Sequence, residues 1–275
     1  MSYFHARVRP WLGALALSGT LAMSGCAPAL STAEEVQLGA QYSQEINRQL
    51  PIVQNPEIHY YINQLGNSIA QRADQRGLQY RFYVVNSEQV NAFAVPGGFV
   101  YVNRGLIERA DNMSELAGVM AHEIGHVVER HSVEQMQKAQ NANLLAGVVY
   151  GVLLGRNPSG VEQVGLQVGG QALFASYSRD AEREADNVAI PYLVQSGINP
   201  QGLASFFREL MEERQSSPGA VEQWFSTHPL EEERIANAQR AISTIPASTI
   251  QRLATDTQAF QTFRTRVRQL PAAPR

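Results

Sequence analysis

MAHEIGHVVER, residues 120–130, is the stretch from which the rest of the chain can be interpreted, because it places His122 and His126 four positions apart. In a helix, side chains four positions apart lie on one face, roughly 5–6 Å apart at Cβ, so both rings can point a nitrogen at one metal ion. Glu123 then lies beside the metal position, where a base for an attacking water is needed. The pattern is only moderately specific, so a catalytic metal site requires a third ligand.

A third ligand is available in SRDAEREAD, residues 178–186, where Glu182 and Asp186 share one face of a second predicted helix. The intervening chain is long enough to turn back and pack this helix antiparallel to the first. Glu182 would complete two histidines and one glutamate, the ligand set of an open catalytic zinc site, and Asp186 would hold a ligand histidine through its free ring N–H. The alternative is a solvated charged face, because the same stretch carries two arginines and another glutamate.

The composition is that of a globular protein with one sizeable core or at most two small ones, since 44% of the 275 residues are hydrophobic and 17% are charged. The formal net charge is −3. Binding to nucleic-acid phosphates needs a basic surface, so we expect no nucleic-acid partner.

Residues 1–25 have the features of a bacterial export signal. Two arginines precede an apolar run at 11–23 that is short for a membrane span. The only cysteine, Cys26, follows small residues, and this resembles a lipoprotein signal whose cysteine is lipidated. In such signals, Ala27 in the next position implies sorting to the outer membrane. A conventional cleaved signal, an uncleaved anchor and a buried free cysteine are the alternatives.

The remaining sequence predicts a single α+β domain at 26–270, mainly helical with a small mixed sheet, and a disordered tail at 271–275. Periodicity and capping residues predict helices at 31–50, 56–77, 112–139 and 178–195, a further helix that begins at Pro200, and helical stretches after Arg234. Strands are predicted at 80–85, 90–95 and 99–103, and Pro-Gly-Gly between the last two indicates an antiparallel turn.

The glycine-rich apolar segment 143–170 begins NLLAGVVYGVLLG, which is too short to span a bilayer. One interpretation is a buried helical hairpin. The other is a mobile cover over a cleft or a membrane-facing element, and the sequence leaves both open.

Four stretches resemble one family of zinc peptidases, which includes CAAX prenyl protease, HtpX and the periplasmic proteins BepA and LoiP. They are NAFAVPGGFVYVNRGL at 91–106, HEIGH at 122–126, SRDAEREAD at 178–186 and STHPLEEERI at 226–235. The resemblance covers nearly all of the mature chain and is greatest to LoiP-like lipoprotein peptidases, since we expect neither the several membrane spans of HtpX nor the tetratricopeptide repeats of BepA. It implies a zincin-like (gluzincin) fold.

The same resemblance implies one Zn²⁺ per chain, held by His122, His126 and Glu182, with Glu123 as the general base. It also implies that His228 lies over the metal. There His228 either stabilises the developing oxyanion or, in a closed state, occupies the fourth zinc position.

Two further polar residues are assigned structural roles. Arg234 matches an arginine of the family and is interpreted as a structural partner. His131 lies nine positions after His122, which on a straight helix is the opposite face, so we expect a satisfied or exposed side chain and not a ligand.

Substrate binding is assigned by the resemblance to an edge strand containing Asn91, Ala92, Phe93 and Ala94. An extended peptide can pair with such a strand through main-chain hydrogen bonds, which favours unfolded substrates. The predicted function is a zinc endopeptidase, lipid-anchored at the periplasmic face of the outer membrane, that cleaves unfolded or misassembled envelope proteins and has the outer-membrane assembly machinery as a partner. The alternative is a chaperone-like assembly factor with a mostly latent zinc site.

Overall fold

The computed structural model describes residues 30–139, 176–229 and 232–273. The predicted signal at 1–25, the predicted lipidation site Cys26 and the apolar segment 143–170 lie outside these residues. Helix α1 covers Thr32–Gln49, and its start is capped by a reciprocal hydrogen-bonded box between Ser31 and Glu34.

Helix α2 covers Pro56–Ala73 and is capped by the side chain of Asn55. It buries one apolar face, formed by Ile58, Ile62, Leu65 and Ile69. The helix ends before Asp74, earlier than the predicted end at Gly77, because the Asp74 carboxylate accepts the backbone N–H of Arg76 at 2.8 Å and turns the chain.

The sheet is mixed, as predicted, and has the strand order β1-β3-β2. Strand β1 is Arg81–Val85, β2 is Ala92–Val95 and β3 is Phe99–Asn103. Strand β3 pairs parallel to β1 and antiparallel to β2. The turn between β2 and β3 needs glycine, since Gly97 and Gly98 have φ angles of 80° and 92°. Because the strand order is β1-β3-β2, strand β2 lies at an edge of this three-stranded sheet.

After the short helix α3, Arg104–Arg109, the chain enters helix α4, Met113–Val128, which is capped by Asn112. Every residue of α4 up to Val127 is buried, so this helix is the centre of the core. It packs against β2 and against the helices that follow.

The prediction of one continuous helix from 112 to 139 is wrong. Helix α4 ends at Val128, and Arg130 adopts the left-handed φ of 59° before helical structure resumes at residues 131–139. Arg130 is held in this conformation by an ion pair with Glu35 of α1, at 2.9 Å. Tertiary contacts thus offset a backbone strain of roughly 1–3 kcal/mol.

Six helices complete the described chain. They are α5 (Arg179–Gln195), α6 (Gln201–Ser216), α7 (Pro218–Thr227), α8 (Glu232–Ser243), α9 (Ala247–Ile250) and α10 (Gln258–Arg268).

Helix α5 lies so close to α4 that a Cβ on Gly125 would sit 3.0 Å from the Ala185 carbonyl oxygen. A Cβ on Gly118 would lie 2.8 Å from the backbone of Leu203 in α6. These glycines let the three helices approach closely around α4. In the three described ranges, none of the helices combines the length and the apolar composition that a bilayer crossing requires.

Candidate metal centre

Helices α4 and α5 bring the three predicted ligands together at ligand spacing. The Nε2 atoms of His122 and His126 are 3.1 Å apart. Glu182 lies 3.6 Å from the first through Oε2 and 3.3 Å from the second through Oε1. Tetrahedral zinc with bonds of about 2.0–2.1 Å separates its ligand atoms by roughly 3.3–3.4 Å, so these three groups fit one zinc ion.

His228 supplies a fourth potential donor from the loop after α7. Its Nδ1 lies 3.1 Å from Glu182 Oε1, and one donor atom from each of His122, His126, Glu182 and His228 lies within 4.8 Å of the others. All four side chains are buried. The backbone N–H of His228 donates to the Trp224 carbonyl at 2.8 Å, which ties this histidine to the end of α7.

Glu123 lies beside these donors with its carboxylate fully buried. Neither of its oxygens has a hydrogen-bond partner among the described residues, and His228 Nε2 is 3.4 Å from Oε1. Burial raises the pKa of Glu123, although His228 and His122 act in the opposite direction. A buried carboxylate without a donor is costly, so this position favours a group that brings a proton, such as a water or a protonated amine.

Asp186 and Arg234 contact the predicted ligands His122 and Glu182. Asp186 Oδ1 lies 2.9 Å from His122 Nδ1, and Arg234 holds both Asp186 oxygens through Nε at 2.7 Å and Nη2 at 2.8 Å. Arg234 Nη1 also lies 2.5 Å from Glu182 Oε2. These contacts fit the structural part predicted for Arg234.

The electrostatics of the centre favour metal binding. Burial lowers the pKa of His126 well below its usual value, which keeps the ring neutral, the form that donates to a metal. Burial alone would raise the pKa of Glu182, but His228 and Arg234 hold it well below its usual value. Glu182 is therefore a carboxylate even in this dry environment.

Two aromatic rings flank the histidines, and sequence reasoning did not single out either. Tyr177 stacks on His126 with the ring centroids 3.9 Å apart, and Trp224 stacks on His228 at 4.7 Å. No spacing in the sequence singles out either ring, because both lie against the histidines through tertiary packing.

His131 is buried and reaches the centre, so the expectation that it lies on the opposite face is wrong. Its Nδ1 is 2.9 Å from Nδ1 of His126. The break after Val128 explains the error, because the straight-helix rule does not apply across the left-handed Arg130. Both ring nitrogens of His131 have hydrogen-bond partners, since Nε2 lies 3.1 Å from Glu184 Oε2, so the side chain is satisfied.

The predicted substrate strand, β2, begins close to the loop that carries His228. Ala92 and Ala94 are buried and Phe93 is half-buried, in edge strand β2, with Asn91 just before it. Thr227 Oγ1 lies 3.5 Å from Asn91 Oδ1, which joins the start of β2 to the residue preceding His228.

Sequence comparison with known proteins finds relatives that are named as proteases. The chain is 33% identical over 215 residues to the Escherichia coli "Beta-barrel assembly-enhancing protease", covering 76% of this chain but only 44% of that protein. It is 30% identical over 220 residues to the Escherichia coli "Metalloprotease LoiP", covering 78% and 82%. Yeast "Mitochondrial metalloendopeptidase OMA1" is 29% identical over 169 residues, covering 60% and 47%.

The family match begins with helix α2 and ends in helix α8, so it includes the sheet, all four clustered donors, Glu123 and Arg234. The chain spans less than half the length of the beta-barrel assembly-enhancing proteases it matches. The match to residues 56–242 confirms the resemblance inferred from the four motifs, and the chain belongs to peptidase family M48.

Proposed function

We propose that the chain is a zinc-dependent endopeptidase that holds one Zn²⁺ through His122, His126 and Glu182. One observation carries the proposal: three buried donors at zinc spacing stand next to the carboxylate of Glu123, which accepts no hydrogen bond from the described residues. A metal that served only structure would have no use for a desolvated base at this place.

In the proposed hydrolysis, the metal would activate the water and Glu123 transfers the proton. Zinc, when bound, would lower the pKa of a water molecule and polarise the scissile carbonyl. Glu123 takes a proton from the attacking water as its oxygen bonds to the carbonyl carbon, and returns that proton to the leaving amine as the C–N bond breaks. The raised pKa of Glu123 suits both steps, because a base that must later act as an acid works best near the ambient pH.

His228 has two consistent roles in this proposal. With its nitrogens 3.1 Å from Glu182 and 3.4 Å from Glu123, the ring would supply a fourth donor to the metal and close the site. When the ring turns away from Glu182, one of its N–H groups can stabilise the oxyanion of the tetrahedral intermediate. Opening requires loss of the stacking on Trp224.

The substrates are proposed to be unfolded or misassembled outer-membrane proteins. Strand β2 with Asn91 offers an edge that an extended chain can join, and the contact of Asn91 with Thr227 links that edge to the His228 loop. The architecture around these elements is proposed to be zincin-like (gluzincin). The name of the beta-barrel assembly-enhancing proteases refers to beta-barrel assembly, which supports the outer-membrane assembly machinery as a partner.

The proposed location is the periplasmic face of the outer membrane. Residues 1–25 serve as the signal, Cys26 carries the lipid and residues 26–270 form the peptidase domain. A lipid anchor of several acyl chains would hold the domain at the membrane surface without a spanning helix.

The test is cleavage of an unfolded protein by the purified, zinc-loaded chain. We expect Glu123→Gln to reduce turnover by about 10²–10⁴-fold while zinc still binds, because general acid–base catalysis contributes that much. Glu129→Gln, exposed at the end of α4, is the matched control and should cleave like the parent. A Glu123→Gln variant that cleaves normally would contradict the proposal.

A second function is supported by the contact of His228 Nδ1 with the predicted ligand Glu182, at 3.1 Å. In that alternative the chain is a chaperone-like assembly factor that holds client strands while its zinc site stays latent. His228→Ala separates the two: faster cleavage identifies a latch on an active peptidase. Zinc binding without any cleavage, even after this substitution, favours the holding role.

A further inference from the structure

A line of hydrogen-bonding groups runs from ligand His126 to the protein surface. His126 Nδ1 lies 2.9 Å from His131 Nδ1, and His131 Nε2 lies 3.1 Å from Glu184 Oε2. His126 and His131 are buried, whereas the Glu184 side chain is 63% exposed. Glu184 belongs to helix α5, two positions after the predicted ligand Glu182.

A metal bound at Nε2 of His126 would determine where every proton in this line resides. Nε2 of His126 faces the other donors, so its lone pair is the one available to a metal and its proton must be on Nδ1. That N–H can donate only to an unprotonated Nδ1 of His131. His131 must then carry its own proton on Nε2, where it donates to the Glu184 carboxylate.

The fold holds His131 in place for this contact. The left-handed Arg130 turns the chain at the end of α4, so His131 comes back beside His126, one residue after the turn. The next residue, Ser132, hydrogen-bonds the Tyr177 hydroxyl at 2.7 Å, and the Tyr177 ring stacks on the face of His126. His126 is therefore confined by a ring on its face and by an acceptor at its edge.

The two histidines of the HEIGH motif have different supports. His122 faces the carboxylate of Asp186 directly, and that carboxylate is also neutralised by Arg234. His126 reaches a carboxylate only through a second imidazole. Partners of this kind orient the ligand ring and raise its basicity, and their loss typically weakens metal binding by about 10–100-fold.

We propose that His131 is a positioning residue for His126, and that His131 and Glu184 together set how tightly the site holds its metal. This inference rests on the zinc site of the proposed function but not on peptide hydrolysis.

The experiment measures zinc affinity of the full chain by competition with a chromophoric chelator, and the visible spectrum of the Co²⁺ form. His131→Leu removes the acceptor for His126 while it keeps an apolar volume, and we expect about 10–100-fold weaker zinc binding with an altered Co²⁺ spectrum. His131→Asn restores an oxygen near the Nδ1 position, so it should recover much of the affinity. Glu184→Gln, on an exposed side chain, should weaken zinc binding by a smaller factor.

Glu134→Gln is the matched control, because Glu134 is exposed on the same helical stretch as His131, pairs with Lys138 and makes no contact with the line from His126 to Glu184. Zinc affinity of His131→Leu within about threefold of the control would overturn the proposal. If His131→Leu does not fold, the test uses the zinc affinities of His131→Asn and Glu184→Gln. Affinities equal to that of the parent in both variants would also overturn the proposal. Failure of the parent to cleave peptides, with zinc bound, would instead contradict the proposed function alone.

Discussion

Arg234 shows, at the scale of single residues, how strongly the centre depends on one charge. It is buried and bonds both Asp186 and Glu182, and it also donates to the Pro229 carbonyl in the His228 loop at 2.8 Å. A buried ion pair adds little net stability, but removal of one partner leaves the other charge uncompensated.

We expect Arg234→Met to lower the free energy of unfolding by about 3–5 kcal/mol, because two buried carboxylates lose their cation. The pKa of Glu182 should rise, which weakens it as a ligand. Urea unfolding and zinc titration measure the two effects. Arg240→Met, on the exposed side of the same helix, is the control, and equal stability of the two variants would refute the expectation.

Glu209 provides a pH-dependent test away from the centre. Burial and the nearby Glu115 raise its pKa to about 7. Because the folded-state pKa exceeds the usual value of 4.5, the stabilisation of the protonated form is present at pH 4–5 and is lost as the pH rises through about 7.

Glu209→Gln should therefore be more stable than the parent at pH 8 and similar to it near pH 5. The gain is expected to stay below about 1 kcal/mol, since solvent screens this half-buried group. Thermal unfolding at both pH values measures it. A stability difference between Glu209→Gln and the parent that is the same at both pH values would count against the raised pKa of Glu209.

At the scale of elements, Glu35 joins three parts of the fold. Fully buried in helix α1, it accepts the backbone N–H of Gly97 at 3.2 Å and pairs with Arg76 and Arg130 at 3.3 and 2.9 Å. Gly97 is in the turn after β2, and Arg130 is in the turn after α4. One carboxylate thus fixes the end of the proposed substrate strand relative to the end of the HEIGH helix.

Glu35→Gln should destabilise the protein by about 1–3 kcal/mol, the cost of leaving partly buried charged groups unpaired. Hydrogen exchange at the Gly97 amide should become faster, because its acceptor is weakened. Glu45→Gln, exposed on the same helix and paired with Arg48, should change neither quantity. Unchanged exchange at Gly97 in Glu35→Gln would show that the turn is held by other contacts.

At the scale of the whole molecule, the candidate metal centre links three helices. Its donors come from α4, α5 and the end of α7, and the site is enclosed by their packing. A ligand that binds only the folded state stabilises it by about 4 kcal/mol when its free concentration is a thousand times its dissociation constant.

Chelation should therefore lower the melting temperature, and added zinc should restore it. Differential scanning calorimetry of the parent beside Glu182→Gln measures the effect, and the variant should respond much less. A melting temperature that is insensitive to chelator, in protein shown to contain zinc beforehand, would contradict this prediction.

The sequence alone determined the features that depend on neighbours within about one helical turn or one hairpin. The four-residue spacing of His122 and His126, the cap at Asn112 and the glycines of the β2–β3 turn are local, so helix and turn geometry predict them.

Only the tertiary structure decided what lies around those histidines. Glu182, His228 and Arg234 reach the centre through packing of α5, α7 and α8, and the family resemblance, not residue spacing, predicted His228. The end of α4 at Val128, and with it the approach of His131 to His126, depends on an ion pair between Arg130 and Glu35, which are 95 residues apart. Rules based on neighbouring residues cannot predict such a contact, because it forms only after distant segments have packed together.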